Sequence, residues 1–534
     1  MKPNKILMGF FIAAAVFATA SCDKFLDKDP DNRTTVDTIK EIDALLGSAY
    51  PDHSWITIAE LMSDNTDDYG RTSFNRSTRF YDQVFAWEDV TESNNESPEN
   101  IWSNLYKCVA TANNALAALE EIGATPDDPA YSESFAEAYL CRAYAHFDLA
   151  NIFCMPYSPR TANKDLGIPY IDEVETSFSP HHERGTLAEL YQKIEADLEK
   201  GLALMGDSRY SVPKYHFNTQ AAYALATRFY LYYEKYELAV AAANNALGDS
   251  PSSMLRDYAA LQTYANNTDS GNAYISSESP ANFLLISCYS YIRYFYANYS
   301  TYNRYSHGSY LASTEDISAT NIFGSNSVFK HKVHTYSGSM DRAMFWRVPY
   351  LFEYTDPVAG TGYARGIFPV FTADECLLNR AEANVMLGNY QEACDDLNLW
   401  MHNFTTVTGN VTLANIKNFY GGIKYYTWDK PTIKKELHRD DIGENGGDKE
   451  SMLQCVLDFK RIETMGYGLR WLDIRRYGIK IYRRRMGLDY TPYTITDEMS
   501  VYDPVAGTEA DPRWAVQIPY KVRLAGLEAN PRNK

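Results

Sequence analysis

Two stretches of this chain repeat one local pattern, and that repeat constrains the fold more than any other sequence feature. Each has a helical run, a short break, and then the residues Tyr-x-x-Ala. The first covers residues 221–247 with its break at Glu234-Lys235, and the second covers residues 372–400 with its break at Gly388-Asn389. Because small residues at fixed places let two helices nest, the pattern predicts two tetratricopeptide-like helical pairs.

Three further segments carry apolar residues every three or four positions, which is the period of an amphipathic helix. They cover residues 101–121, 135–153 and 187–205. Gly123 and Pro156 follow the first two segments as helix stop signals. Because the helical units are scattered along the chain, we expect a mainly α protein with a helical-pair scaffold rather than a continuous solenoid.

Two regions between the helical segments have a different composition. Residues 64–100 and 249–369 are rich in polar and aromatic residues and contain few long periodic runs. Long irregular regions of a compact protein usually carry its function. We predict one domain over residues 22–534, in which a loop-rich binding lobe with short strands is inserted into the helical scaffold. The scaffold is placed roughly at residues 35–250 and 370–480, and the lobe roughly at residues 250–370.

The N-terminus has the features of an export signal. Two lysines precede an uncharged, mostly apolar run from Ile6 to Ala20. A membrane-spanning helix needs about 20 apolar residues, so this run is too short to span and fits a secretory signal. Small residues stand directly before Cys22, as a lipoprotein signal peptidase requires. We therefore expect residues 1–21 to be removed and Cys22 to be lipidated. The alternative is an ordinary signal peptide that is followed by a cysteine without a role.

Charge and aromatic content narrow the class of partner. The formal net charge is −19, and phosphate-rich nucleic acid or anionic headgroups would be repelled by it. The chain has 43 Tyr against 24 Phe and 8 Trp. Because tyrosine joins a flat apolar ring to a hydroxyl, it suits surfaces that contact polar ligands, although many of these residues must simply pack helices.

The cysteines do not form a metal-binding or disulfide pattern. Apart from Cys22 they number seven, show no Cys-x-x-Cys spacing and lie mostly in apolar or helical settings. We predict that they are small buried hydrophobic residues rather than a zinc site or a disulfide framework. They are Cys108, Cys141, Cys154, Cys288, Cys376, Cys394 and Cys455.

A series of short motifs runs along almost the whole chain in a specific order. They are Cys22-Asp23-Lys24-Phe25-Leu26-Asp27, Ser63-Asp64-Asn65, Ile101-Trp102-x-x-Leu105-Tyr106, Arg380-Ala381-Glu382-Ala383, Gly388-Asn389-Tyr390, Arg461-Ile462-Glu463, Gly468-Leu469-Arg470-Trp471, Ile518-Pro519 and Asn530-Pro531. In this order they resemble the SusD/RagB family of Bacteroidetes outer-membrane lipoproteins.

The resemblance implies a role rather than a reaction. Members of that family bind oligosaccharides, or peptides in some branches, on the cell surface. They form a lid over a SusC-like TonB-dependent transporter, to which the ligand is passed. The implied location is the outer membrane, with a lipid anchor and the protein facing outward. The family requires no cofactor, although some members hold a structural calcium, and the implied partners exclude nucleic acid.

No catalytic signature stands out in the sequence. The motifs His-Glu-x-x-His, the P-loop and Gly-x-Ser-x-Gly are absent, and His181-His182 lacks a pattern of further metal ligands. We therefore expect no enzyme and no metal site. A surface glycosidase remains as an alternative, because acidic residues are plentiful and two carboxylates would suffice.

The two loop regions supply the groups that sugar binding needs. Pyranose rings present C–H faces that stack on aromatic rings and hydroxyls that pair with polar side chains. In the family, ligand sites are built from these two regions. The alternative for any one tyrosine is that it packs inside the protein. For Trp87 in particular, an aromatic residue at this place resembles one that is part of the family's fold. The candidate ligand contacts are Asp67, Tyr69, Arg71, Trp87, Asn94, Tyr291, Tyr294, Tyr296, Tyr299 and Trp346.

Overall fold

Helices dominate the computed structural model, which describes residues 36–70, 79–177, 181–297, 303–336, 341–349, 351–485 and 510–532. This confirms the predicted mainly α fold with short strands. The helices are α1 (Ile39–Leu46), α2 (Ile56–Met62), α3 (Arg79–Phe85), α4 (Pro98–Glu121), α5 (Ser132–Phe153), α6 (Leu187–Leu204), α7 (Thr219–Tyr232), α8 (Tyr236–Leu247), α9 (Tyr258–Gln262), α10 (Asn267–Tyr274), α11 (Arg293–Tyr296), α12 (Ser309–Glu315), α13 (Ala373–Leu387), α14 (Tyr390–Phe404), α15 (Leu413–Gly421), α16 (Asp448–Glu463), α17 (Leu469–Tyr477) and α18 (Tyr520–Leu524).

The strands are few and antiparallel. They are β1 (Asp67–Asp68), β2 (Asn282–Tyr289), β3 (Tyr305–Ser306), β4 (His334–Tyr336), β5 (Arg342–Met344), β6 (Leu351–Asp356) and β7 (Thr361–Thr372). β7 lies between β2 and β6 in a three-stranded sheet, and β4 pairs with β5. β1 pairs with β3, with Asp67 opposite Ser306, so the two loop-rich regions of the sequence meet in one small sheet.

The two predicted helical pairs are present, as α7 with α8 and α13 with α14. α8 also packs against α13, so the two units lie side by side. The alanines of the two Tyr-x-x-Ala sequences, Ala239 and Ala393, are fully buried. A larger side chain at either place would separate the paired helices, which is why the pattern predicts the packing.

The breaks within the two pairs have the same backbone geometry. Glu234 and Gly388 adopt left-handed φ angles of 62° and 83°. In each break, the amide of the next residue donates to the carbonyl five positions earlier. The distance is 2.9 Å for Lys235 and 2.8 Å for Asn389. This is the hydrogen bond of a Schellman motif, which satisfies a carbonyl at the end of the first helix.

The other predicted helices are α4, α5 and α6, which pack in sequence against one another. α4 begins at Pro98, three residues before its periodic run. The Ser97 side chain accepts a hydrogen bond from the Asn100 amide, and proline is favoured in the first helical turn because it needs no amide partner there. None of the described helices is both long enough and apolar enough to cross a membrane.

All seven cysteines of the described residues are buried, as predicted, and none of them is bonded to another. Nor do the described residues gather three or more His, Cys, Asp or Glu side chains in a place where they could hold a metal ion.

Candidate functional site

The loop at residues 64–69 is sealed inside the protein. Asp64 accepts two hydrogen bonds of 2.9 Å from Arg470, and Arg461 lies 3.4 Å from the same carboxylate. Burial alone would raise the pKa of Asp64, but the charges of Arg461 and Arg470 hold it well below its usual range. Asp67, a predicted ligand contact, pairs with Arg484 at 3.0 Å. Here burial is the largest influence and raises the pKa of Asp67.

Tyr69 is enclosed in the same loop. The Arg342 guanidinium lies over its ring, 3.6 Å from the centroid, and its hydroxyl donates to Asp341 at 3.3 Å. Only 3% of Tyr69 is exposed. In this geometry the protein itself occupies the ring face and hydroxyl that a ligand would use, so Tyr69 and Asp67 serve packing rather than ligand contact.

Trp87 and Tyr296 are also buried and internally paired. The Trp87 indole donates to the Met62 carbonyl at 3.0 Å and packs edge-on against Trp471, with the centroids 4.9 Å apart. The Tyr296 hydroxyl donates to the Asn65 carbonyl at 2.9 Å. For Trp87 the geometry supports the packing alternative, and Tyr296 is buried in the same way. Arg71, Tyr299 and the lipidation residue Cys22 lie outside the described residues.

Tyr291 and Tyr294 differ from these residues because both are only half-buried. Their rings lie 5.8 Å apart with an interplanar angle of 27°, so they form adjacent, nearly parallel surfaces. Arg293 lies 4.6 Å from the Tyr294 centroid and donates to its hydroxyl at 2.7 Å. This contact holds the Tyr294 ring in place. Together with Asn94, these two rings are called the tyrosine platform below.

Glu96 joins the two parts of the tyrosine platform. Its buried Oε1 accepts hydrogen bonds from the Thr57 hydroxyl at 2.6 Å, and from the Ser290 hydroxyl and the Tyr291 amide at 2.9 Å each. The Glu96 amide donates to Asn94 Oδ1 at 2.8 Å, so the loop carrying Asn94 is tied to the start of α11. Burial raises the pKa of Glu96 to about 7, although these hydrogen bonds oppose the rise.

Sequence reasoning missed Glu96. A single glutamate in a polar loop gives no signal of burial, and all three partners of its carboxylate are far away in the sequence. The residue that brings Asn94 and Tyr291 together is therefore visible only in three dimensions.

Trp346 belongs to a separate aromatic group near the β4–β5 hairpin. It is half-buried, and its ring lies 5.2 Å from that of His334, which in turn lies 4.6 Å from Tyr336. Burial lowers the pKa of His334. The Trp346 indole nitrogen is buried without a hydrogen-bond partner among the described residues. Its role as a ligand contact stays a prediction.

A cavity of about 310 Å³ lies between residues 88–93 and the C-terminal segment 513–523. Trp87 and Ile518 line it with other apolar side chains, and charged residues surround its mouth. Several of those charges are already paired, Asp89 with Arg532 at 2.9 Å and Glu99 with Lys521 at 2.5 Å. Four of the charged residues that line the cavity are therefore neutralised within the protein.

Solved structures share this fold across nearly the whole chain. A SusD superfamily protein from Bacteroides thetaiotaomicron has a TM-score of 0.61 at 14% identity, covering 93% of this chain and 99% of its own. A SusD superfamily protein from Bacteroides fragilis gives 0.60 at 16% identity, with the same coverage. A structure described as a putative sugar binding protein from Bacteroides vulgatus gives 0.59 at 19% identity, again with 93% and 99% covered. The fold is therefore that of the SusD superfamily.

A sequence profile of one protein family also matches part of the chain. The profile of a SusD-like family, described as starch-binding associating with outer membrane, matches residues 24–231. By sequence, residues 24–231 are similar to the SusD-like family, and the rest of the chain shares the SusD fold. No protein with curated annotation matches the sequence.

Proposed function

We propose that this protein is a non-catalytic, cell-surface glycan-binding lipoprotein that captures oligosaccharides and delivers them to a SusC-like TonB-dependent transporter. The family description, starch-binding associating with outer membrane, supports both the ligand class and the location. The similar structure from Bacteroides vulgatus is itself described as a putative sugar binding protein. Cys22 is the proposed lipid anchor.

The observation that carries the proposal is the tyrosine platform. Tyr291 and Tyr294 offer two adjacent half-buried rings, and Glu96 ties the loop that carries Asn94 to the segment that carries Tyr291. Aromatic faces suit the C–H faces of pyranose rings, and amide groups suit their hydroxyls. By analogy with aromatic pairs, each stack contributes about 1 kcal/mol, which predicts modest affinity.

Titration calorimetry with a panel of neutral host and plant oligosaccharides tests the ligand class. Tyr294→Ala should weaken binding about fivefold, because one stack of about 1 kcal/mol is lost. Tyr264→Ala is the matched control, since Tyr264 is 43% exposed and lies outside the platform. Failure of every glycan to bind, together with tight binding of peptides, would refute glycan capture and favour peptide import.

The anchor is tested by labelling the cells with palmitate. Cys22→Ala should abolish labelling and move the protein to the soluble fraction, and continued labelling would exclude Cys22 as the lipidated residue. Copurification of a TonB-dependent barrel with the wild-type protein tests the transporter partner. A preparation from which no barrel copurifies, under conditions that keep the outer membrane lipoproteins intact, would argue against delivery.

The proposal also predicts that the protein has no catalytic activity and needs no metal to bind glycan. The purified protein should release no product from a labelled polysaccharide, whereas a glycosidase would. No metal is needed in the proposed site, so dialysis against EDTA should leave the affinity for glycan unchanged, and a loss of affinity that calcium restores would show a structural calcium.

A further inference from the structure

One face of the three-stranded sheet carries aromatic and charged side chains, and its strand β2 ends two residues before Tyr291. Side chains alternate between the two faces of a strand, and residues paired across strands share a face. Tyr289 of β2 is opposite Arg365 of β7, and Tyr363 of β7 is opposite Glu353 of β6. Since Tyr363 and Arg365 are two positions apart, these four residues lie on one face, called here the sheet face.

The side chains of the sheet face brace one another. The Arg365 guanidinium lies 4.5 Å from the Tyr289 centroid and donates to the Ser287 carbonyl at 3.0 Å. The Tyr363 ring packs edge-on against Tyr289, with centroids 5.5 Å apart and planes 73° apart. Yet 44% of Tyr363 remains exposed. A braced but accessible ring loses little conformational freedom when a ligand stacks on it.

The chain connects the sheet face directly to the tyrosine platform. Tyr289 ends β2, and the next residue, Ser290, donates its amide to the Ala364 carbonyl at 3.2 Å. The Ser290 hydroxyl and the Tyr291 amide then both donate to Glu96. One short stretch of chain therefore fixes the sheet face on one side and the tyrosine platform on the other.

The charges of the sheet face indicate an uncharged ligand. Arg365 is paired with Glu353 at 2.6 Å, so the cation beside the exposed ring is already neutralised. The formal net charge of −19 further disfavours acidic chains. Exposed tyrosine, a guanidinium and a carboxylate in one plane suit the apolar faces and hydroxyls of a neutral sugar.

We propose that the sheet face is an additional glycan subsite, so that the protein binds an extended, neutral chain of several sugars that runs from the tyrosine platform across Tyr363. This inference rests on the proposed function and specifies its ligand class. It predicts that affinity increases with chain length, because only a longer ligand reaches both surfaces.

The test is calorimetry on the full chain with neutral malto-, xylo-, manno- and galacto-oligosaccharides of about two to six sugars. For the series that binds, Tyr363→Ala should weaken the longest member about fivefold and leave the shortest unchanged. Tyr363→Phe keeps the ring and should keep the gain with length. Tyr354→Ala is the matched control, because Tyr354 pairs with Gly362, points to the opposite face of the same hairpin and is 58% exposed.

The outcomes separate the two proposals. If no series binds, glycan capture itself fails. If a series binds but its affinity does not depend on length, or if Tyr363→Ala weakens short and long members equally, the sheet face is not a subsite while glycan capture stands. An equal effect of Tyr354→Ala and Tyr363→Ala would also overturn the subsite. Matching thermal melts of the three variants and the wild type exclude loss of the fold as the cause.

Discussion

The loop at residues 64–69 and the tyrosine platform contain similar residue types in different environments. The loop side chains are buried, whereas the platform tyrosines are only half-buried. In the loop, arginines cover the side chains: Arg470 pairs with Asp64, Arg484 pairs with Asp67, and a guanidinium covers the ring of Tyr69. In the platform, the Tyr291 and Tyr294 rings pack on each other and stay half-buried. The two regions therefore differ in how far their tyrosine side chains are buried, not in residue type.

Removing a charge from the sealed loop should have the largest effect. Asp64→Asn leaves Arg461, Arg470 and Lys435 buried around a neutral group, and breaking such a buried ion cluster typically costs about 3–5 kcal/mol. Urea unfolding at pH 7 measures this loss. The folded-state pKa of Asp64 lies below its ordinary 3.8, so its contribution is present above that pH and is lost as the pH falls through the folded value. The difference from the wild type should therefore shrink in acid.

Asp448→Asn is the matched control for that change. Asp448 pairs with Lys417 at 2.6 Å, but about half of each side chain is exposed. Its removal should change the free energy of unfolding by about 0.5 kcal/mol or less. Equal effects of the two substitutions would mean that the loop is not sealed.

Tyr69→Ala and Tyr294→Ala compare one residue type in the two regions. Tyr69→Ala should cost about 3 kcal/mol of stability, because a fully packed ring is removed, and leave the glycan affinity of the folded protein within about twofold. Tyr294→Ala should do the reverse, lowering affinity with little loss of stability. A stable Tyr69→Ala protein that has lost its glycan affinity would return Tyr69 to the ligand site.

Glu96 tests how the platform is held. A rise of its pKa from 4.5 to about 7 means that the neutral form is favoured in the folded protein, and it corresponds to roughly 3 kcal/mol. The stability linked to this group is complete below its unfolded pKa and is lost as the pH rises through the folded pKa. The amide oxygen of Glu96→Gln can accept the same three hydrogen bonds.

Between pH 4 and pH 8, the stability of Glu96→Gln should therefore rise relative to the wild type by up to about 3 kcal/mol. Thermal or urea unfolding across this range measures the change, with the exposed Glu278→Gln as a control that should show no such trend. His53 is a nearby residue whose charge also acts on Glu96. If the same pH trend is seen in a His53→Gln background, the trend is due to Glu96. If the trend disappears in that background, it is due to His53.

The helical scaffold could be predicted from the sequence because its signals are local. Tyr-x-x-Ala after a short break sets both the packing and the turn, and the structure has both units. The site was harder, because burial depends on partners that are distant in sequence. Tyr296 donates a hydrogen bond to Asn65, and Arg470 donates one to Asp64. No local sequence pattern around Tyr296 or Asp64 predicts these contacts. Tyr363 was missed although its alternation with Arg365 is the usual signature of a strand face.

The seven buried cysteines have a practical consequence. None of them is bonded to another, so reducing agents should leave the melting temperature of the protein unchanged. Burial also raises the pKa of these thiols, that of Cys394 to about 11, which keeps them in their unreactive protonated form. Each thiol should react with an alkylating reagent only when its surroundings open, so labelling followed by mass spectrometry would report, helix by helix, which parts of the scaffold open first.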